Sequence, residues 1–199
     1  MARVIIDGIK ADISHGNRKM VGKFMIWNLP HKITCPGRTP LCEKICYAKK
    51  AEVAYKDVYP SRMRNLEASR KDGFVDAIDS HIKRNAKKRP FFRIHESGDF
   101  YSQEYLDKWV KLACLNPGVR FLAFTKSFGL DFSAVPANLQ VVYSIMPDTT
   151  CIHPLGCKAY AGDCKDMPGN TIECPGFCSQ CGMCWQLDKI KFNVHFHLH

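Results

Sequence analysis

Thiols dominate the chemistry open to this chain. Of its eleven cysteines, Cys35, Cys42 and Cys46 share one short segment, and Cys174, Cys178, Cys181 and Cys184 crowd into CPGFCSQCGMC. Sulfurs at such close spacing can converge on one inorganic centre, so a metal ion or an iron–sulfur cluster is the first expectation. A helix is expected over residues 41–54, with Pro40 in its first turn. Cys42 and Cys46, four apart on it, would then leave from one face. Cys35 joins them from the preceding loop. Three thiolates so placed can hold three corners of a [4Fe-4S] cluster and leave the fourth iron open to a substrate, a cofactor or another cysteine. The helix N-terminus and Lys44, Lys49 and Lys50 would offset the negative charge. A zinc site completed by His31 or a tail cysteine is the alternative, as are plain buried thiols. Thiolate ligands suit both metals and do not separate them.

The C-x3-C-x2-C-x2-C run from Cys174 to Cys184 can close a tetrahedral zinc site or hold a cubane, giving one or two clusters in all. Cys151, Cys157 and Cys164 lie just ahead of it. They could complete a centre or remain free thiols. Cys114 falls on the apolar side of a predicted helix over residues 102–115 and reads as a small buried hydrophobe.

The elements that must position these groups alternate between strand and helix. Short apolar runs at residues 22–29, 91–95, 120–125 and 139–145 read as buried strands. Residues 58–70, 73–88 and 102–115 read as helices, the last with Leu106, Trp109, Val110 and Ala113 on one face. The pattern predicts an α/β fold, a partial, incomplete parallel β/α barrel over residues 1–147. Residues 148–199 are expected to form an irregular, cysteine-rich C-terminal cap, packed on that domain and ordered by its metal. Sites in parallel sheets form beyond the carboxyl ends of the strands. That rim would carry the Cys35 loop, the Glu96–Asp99 turn, Thr125-Lys126-Ser127 and Met146-Pro147-Asp148. Glu96 and Asp99 could grip a cationic ligand or move a proton, although Asp99 could instead cap the helix after it. Lys126 could bind a carboxylate or phosphate, or simply be solvated. Arg93 and His95 alternate with Phe92 and Ile94, and both would face the barrel interior. The terminal VHFHLH reads as an edge strand with His195, His197 and His199 on one face.

The formal net charge is +10, from 29 Lys and Arg against 19 Asp and Glu. Such an excess favours a small polar or anionic ligand, an acidic protein or nucleic acid, and Lys83–Arg89 is one basic helix end available for contact. A redox role would add an electron donor. No apolar run is long enough to cross a bilayer, and the first residues lack a signal-peptide core. A cytoplasmic location follows, where clustered cysteines bind metal more often than they pair.

The stretch GNRKMVGKFMIWNLPHKITCPGRTPLCEKICYAKKAE resembles the opening of the phage gene product 88 family. FRIHESGDFYSQEYLDKW is similar to its middle and CGMCW to its close. The resemblance spans roughly residues 14–185 and is most specific from Asn28 to Ala48. It implies a bacteriophage or prophage origin, hence the cytoplasm of an infected or lysogenic bacterium, and supports the cysteine assignments. It supplies no substrate. A more distant similarity is to radical S-adenosylmethionine partial barrels. They too have a three-cysteine loop after the first strand and an acidic glycine turn after the next. Here that loop is spaced C-x6-C-x3-C. The similarity implies S-adenosylmethionine as a cofactor, with Glu96, Gly98 and Asp99 meeting its methionine amino group. Two function classes follow. One is an iron–sulfur enzyme of redox or radical type, and the other a zinc- or cluster-stabilised regulatory protein that contacts nucleic acid or a host protein.

Overall fold

The computed structural model describes residues 2–151 and 155–197. It begins with an antiparallel hairpin, β1 (Ala2–Ile6) and β2 (Ile9–Ile13). Asp7 and Gly8 turn it with φ of 45° and 83°. Two such residues match the twist of a tight hairpin, and an Asp-Gly pair tolerates them. Asn65 bolts the hairpin down: it accepts from the Asp12 N–H and donates to the carbonyls of Asp12 and Asn28.

Seven strands then build one all-parallel sheet: β3 (Phe24–Trp27), β4 (Phe91–Ile94), β5 (Arg120–Thr125), β6 (Leu139–Ile145), β7 (Lys158–Ala161), β8 (Thr171–Glu173) and β9 (Asn193–Phe196). Their order is β3-β4-β5-β6-β7-β9-β8. The helices are α1 (Pro40–Ile45), α2 (Tyr47–Ala54), α3 (Val58–Ser69), α4 (Phe74–Asn85), α5 (Gln103–Leu115), α6 (Cys178–Cys181) and α7 (Leu187–Ile190), with a 3-10 turn at Met183–Gln186. The class is therefore mixed α/β, as the alternation predicts.

Each strand divides its side chains between two cores. On one face Trp27, Phe92 and Phe121 meet Phe74 of α4 and Trp109 of α5, with ring centroids 5.2–5.6 Å apart. On the other, Phe24, Ile26, Leu122, Val142 and Val194 are covered by Trp185 and Leu187. The Trp185 ring lies 5.2 Å from Phe24 and 5.5 Å from Phe91. Burial on both faces is what a parallel sheet needs.

Four expectations are corrected. The tail is not irregular, because β7, β8 and β9 extend the same sheet past residue 147. β7 and β8 are only four and three residues long and lack the continuous apolar run that marks Phe24–Trp27. The VHFHLH strand is interior, between β7 and β8, while His199 lies outside the described residues. The helix over residues 41–54 breaks at Cys46, where ψ swings to 110°. Cys42 thus lies within α1 and Cys46 at the kink itself, rather than both on one straight helical face. Cys114 is exposed, since the buried side of α5 runs through Leu106, Trp109 and Ala113 and position 114 points away from it.

Candidate metal centre on the carboxyl rim

The four loops expected at the rim do meet there. Asp99 is the hub. One of its carboxylate oxygens accepts from Phe100 N and Thr125 Oγ1, both at 2.7 Å, and the other accepts from Lys126 N at 2.8 Å. The carboxyl is buried, and burial raises its pKa against those three bonds. Ser102, not Asp99, caps α5 by accepting from Tyr105 N. The Asp99 bonds lock the end of β4 to the end of β5. Asp148 performs a similar service for the first cysteine segment, accepting from Leu41 N at 2.8 Å at the start of α1.

Two glycines seat the Cys35 loop on this platform. A Cβ on Gly37 would stand 1.9 Å from the Lys126 carbonyl oxygen, and one on Gly98 would strike Leu29 and Thr34 at 2.6 and 2.7 Å. Gly98 also needs its φ of 87°. Gly98 therefore lets the turn press against the side chains of Leu29 and Thr34. Tyr47, at the start of α2, donates its hydroxyl proton to the Glu96 carbonyl. Asn28 Oδ1 accepts from the N–H groups of both Glu96 and Ser97, at 2.8 and 3.0 Å. Sequence reasoning passed over Asn28 and Asn17, which donates to the Glu96 carboxylate. Their only signal was proximity to the cysteine motif.

Cys35, Cys42 and Cys46 stand close enough to feel one another's charge. Burial, then the Asp99 carboxylate, pushes the Cys35 thiol up to about 12. Burial also raises Cys42, and the Lys126 ammonium pulls it the other way. Lys126 is thus the cation facing this group. Glu96 is raised by burial and pulled back by Arg93 and Asn28.

The tail cysteines form a second, separate group against the other core. Cys174, Cys178 and Cys184 pack against the core cluster that includes Trp185, as does Cys157. Burial takes Cys184 to about 12, Arg93 opposes it, and the other three tail thiols add to it. Cys178 is raised for the same first reason. Arg93 is held by its Nε bond to the His95 carbonyl and stacks 4.1 Å from the Phe124 ring centroid. It lies on the tail-covered face, as the alternation predicts. His95 does not. At the strand end it takes a φ of 65°, which turns the ring to the helical side, where it meets Tyr105 Oη at 2.9 Å. Residues 17–20 link the two groups of thiols: Asn17 binds Glu96, while the Lys19 carbonyl accepts from Ser179 N.

Among the described residues, no three cysteine sulfurs lie within 4.8 Å of one another. An open depression of about 630 Å³ over α1 is lined by Arg38, Lys44, Lys49 and Glu43. No helix among the described residues is long and apolar enough to cross a membrane.

The sequence profile of gene product 88 matches residues 9–154, a stretch that contains the whole rim and its three cysteines. The chain belongs to the gene product 88 family. Among its relatives are the gene 88 proteins of Mycobacterium phage L5, 30% identical over 154 residues, and of Mycobacterium phage D29, 27% identical over 209. The matches cover 65% and 86% of this chain. The chain spans 64% of the L5 protein's length and 87% of the D29 protein's. No solved structure matches. Family membership thus bears on the first cysteine segment, whereas the profile stops short of Cys174–Cys184.

Proposed function

We propose that this gene product 88 protein is an iron–sulfur protein, and that Cys35, Cys42 and Cys46 hold a [4Fe-4S] cluster with one accessible iron. The observation that carries this reading is the convergence of three thiols with Glu96 and Lys126 on the carboxyl rim of a parallel sheet. The donor set fits: all-thiol, beside a helix start and a lysine. The thiols that act on Cys178 and Cys184 are those of the tail group, with Arg93 as the cation beside them, which supports a second centre there.

When bound, such a cluster supplies an electron or a Lewis-acidic iron. The chain's own residues bind and orient the ligand. Lys126 offers a cation to a carboxylate or phosphate. Glu96 offers a carboxyl to an ammonium group, steadied by Asn17 and Asn28. Gly98 keeps the turn free of side chain, and Asp99 fixes the Lys126 backbone. A small amino-acid-like ligand fits that pairing, and S-adenosylmethionine is the candidate. The sequential order β3-β4-β5-β6-β7 also suits a radical-type partial barrel. The enzyme reading is thus a redox or radical S-adenosylmethionine-like one.

The test is anaerobic purification followed by visible absorption and iron and sulfide analysis. Brown protein with about four or eight irons per chain and matching sulfide is expected. Cys42→Ala and Cys46→Ala should each lose the rim centre's share. Full iron and colour in both variants would overturn the assignment. Colourless protein holding zinc would favour the metal-stabilised regulatory reading, with the basic depression over α1 as its contact for nucleic acid or a host protein. S-adenosylmethionine binding to the iron-loaded protein should weaken in Glu96→Gln.

A further inference from the structure

Away from both cysteine groups, the far end of the sheet brings together two imidazoles and a carboxylate. Glu173 on β8 is the register partner of His195 on β9, so the two side chains stand abreast on one face. His197 lies two residues further along and shares that face. The Glu173 carboxylate bridges them: one oxygen is 2.8 Å from His195 Nδ1 and the other 2.7 Å from His197 Nε2. The ligand atoms of all three residues lie within 4.8 Å of one another. His195 is only 12% exposed at its side chain, and its other nitrogen, Nε2, is 2.8 Å from the Gly162 carbonyl oxygen. Gly162 sits just past β7 and is itself fixed by its N–H bond to the Phe196 carbonyl. A backbone carbonyl on Nε2 makes that nitrogen a donor, while Nδ1 donates to Glu173 when the ring is protonated and is the nitrogen left for a metal once that proton is displaced. Metal-ligating histidines are commonly oriented by such a bond.

We propose that Glu173, His195 and His197 bind one divalent transition-metal ion, zinc or a similar borderline cation, in a mononuclear site distinct from the thiol centres. Two imidazoles and one carboxylate form a three-ligand set that leaves a coordination position for water. The site lies on the opposite face of β9 from Val194, which belongs to the core shared with Cys174, Cys178 and Cys184. It therefore needs no thiolate, and its fate is independent of the iron–sulfur assignment.

The experiment is a zinc titration of the full chain, purified without oxygen, alongside Glu173→Gln and His197→Ala. Both positions are well exposed, at 61% and 71%, so folding should be unaffected. Zinc taken up by thiols is common to all three proteins and cancels in the comparison. The parent should bind one equivalent more than either variant, or bind that equivalent at least tenfold tighter. Added Co2+ should shift the His195 and His197 ring resonances in the parent alone. Equal zinc uptake and affinity in all three proteins would overturn the site. So would Co2+ shifts that persist in Glu173→Gln, as these would mean an adventitious ion on His197.

Discussion

At the scale of single residues, the rim depends on two that carry no reactive group. Gly37 has no room for a methyl, because the Lys126 carbonyl already occupies that space. Gly37→Ala should therefore displace the Cys35 loop and cost about 1–3 kcal/mol in urea unfolding and, on the iron–sulfur proposal, lower iron content in parallel. Asp99→Asn keeps one acceptor oxygen but turns an amide donor towards N–H or O–H groups that need acceptors. Leaving such donors buried and unpaired should cost about 2–3 kcal/mol, read by the same unfolding curve. An Asp99→Asn protein as stable as the parent would show that the carboxylate does not lock β4 to β5. Glu96 and Lys126 stand apart from these two, since their substitution should alter ligand affinity and leave stability nearly unchanged.

At the scale of elements, Trp185 is the clamp between tail and sheet. It is 5% exposed and lies against Phe24 and Phe91. Trp185→Ala should lose about 3–5 kcal/mol. On the iron–sulfur proposal it should also release iron from the tail thiols before the rim thiols, which iron analysis of Trp185→Ala with and without Cys42→Ala would resolve. Retention of all iron would show that the tail thiols are held independently of this packing. Elements such as these were unevenly legible in the sequence. The strands at 91–94, 120–125 and 139–145 and helix α5 stood out because each is long or apolar enough to carry its own period. The rim loops followed from them, since parallel strands bring their carboxyl ends to one edge. What escaped notice was set by tertiary context. The kink at Cys46 and the left-handed His95 are single backbone angles with no compositional mark. The three-residue β8 pairs by virtue of β9 alone. The hairpin was readable, through Asp7-Gly8 between alternating apolar residues, but that signal went unused.

At the scale of the whole molecule, acid should unfold the protein through its buried histidines. Burial, reinforced by His15, Arg84 and Arg89, lowers His81 from 6.5 to about 4, and burial with Arg93 takes His95 to about 3. Both are neutral in the folded chain. The unfolded chain takes up their protons first, so their contribution is complete above pH 6.5 and is lost as the pH falls towards 4 and 3. His81 alone should account for on the order of 3 kcal/mol. Urea midpoints measured from pH 7 to pH 4 should drop steeply, and less so in His81→Gln. A slope unchanged by that substitution would place the acid sensitivity elsewhere.

The position of β9 also dictates an order of assembly. On the ribosome, β3 to β6 emerge together with Cys35, Cys42 and Cys46, and each can pair with the strand made just before it. β8 cannot. Among the described residues its one partner in the sheet is β9, which is made later and must slide between β7 and β8. Cys174, immediately after β8, therefore waits for that insertion before it has a fixed place, whereas the rim thiols do not. A nascent chain halted before β9 would already have its rim thiols in place and its tail thiols not, so the two centres proposed above would be loaded in two acts, in the direction of synthesis.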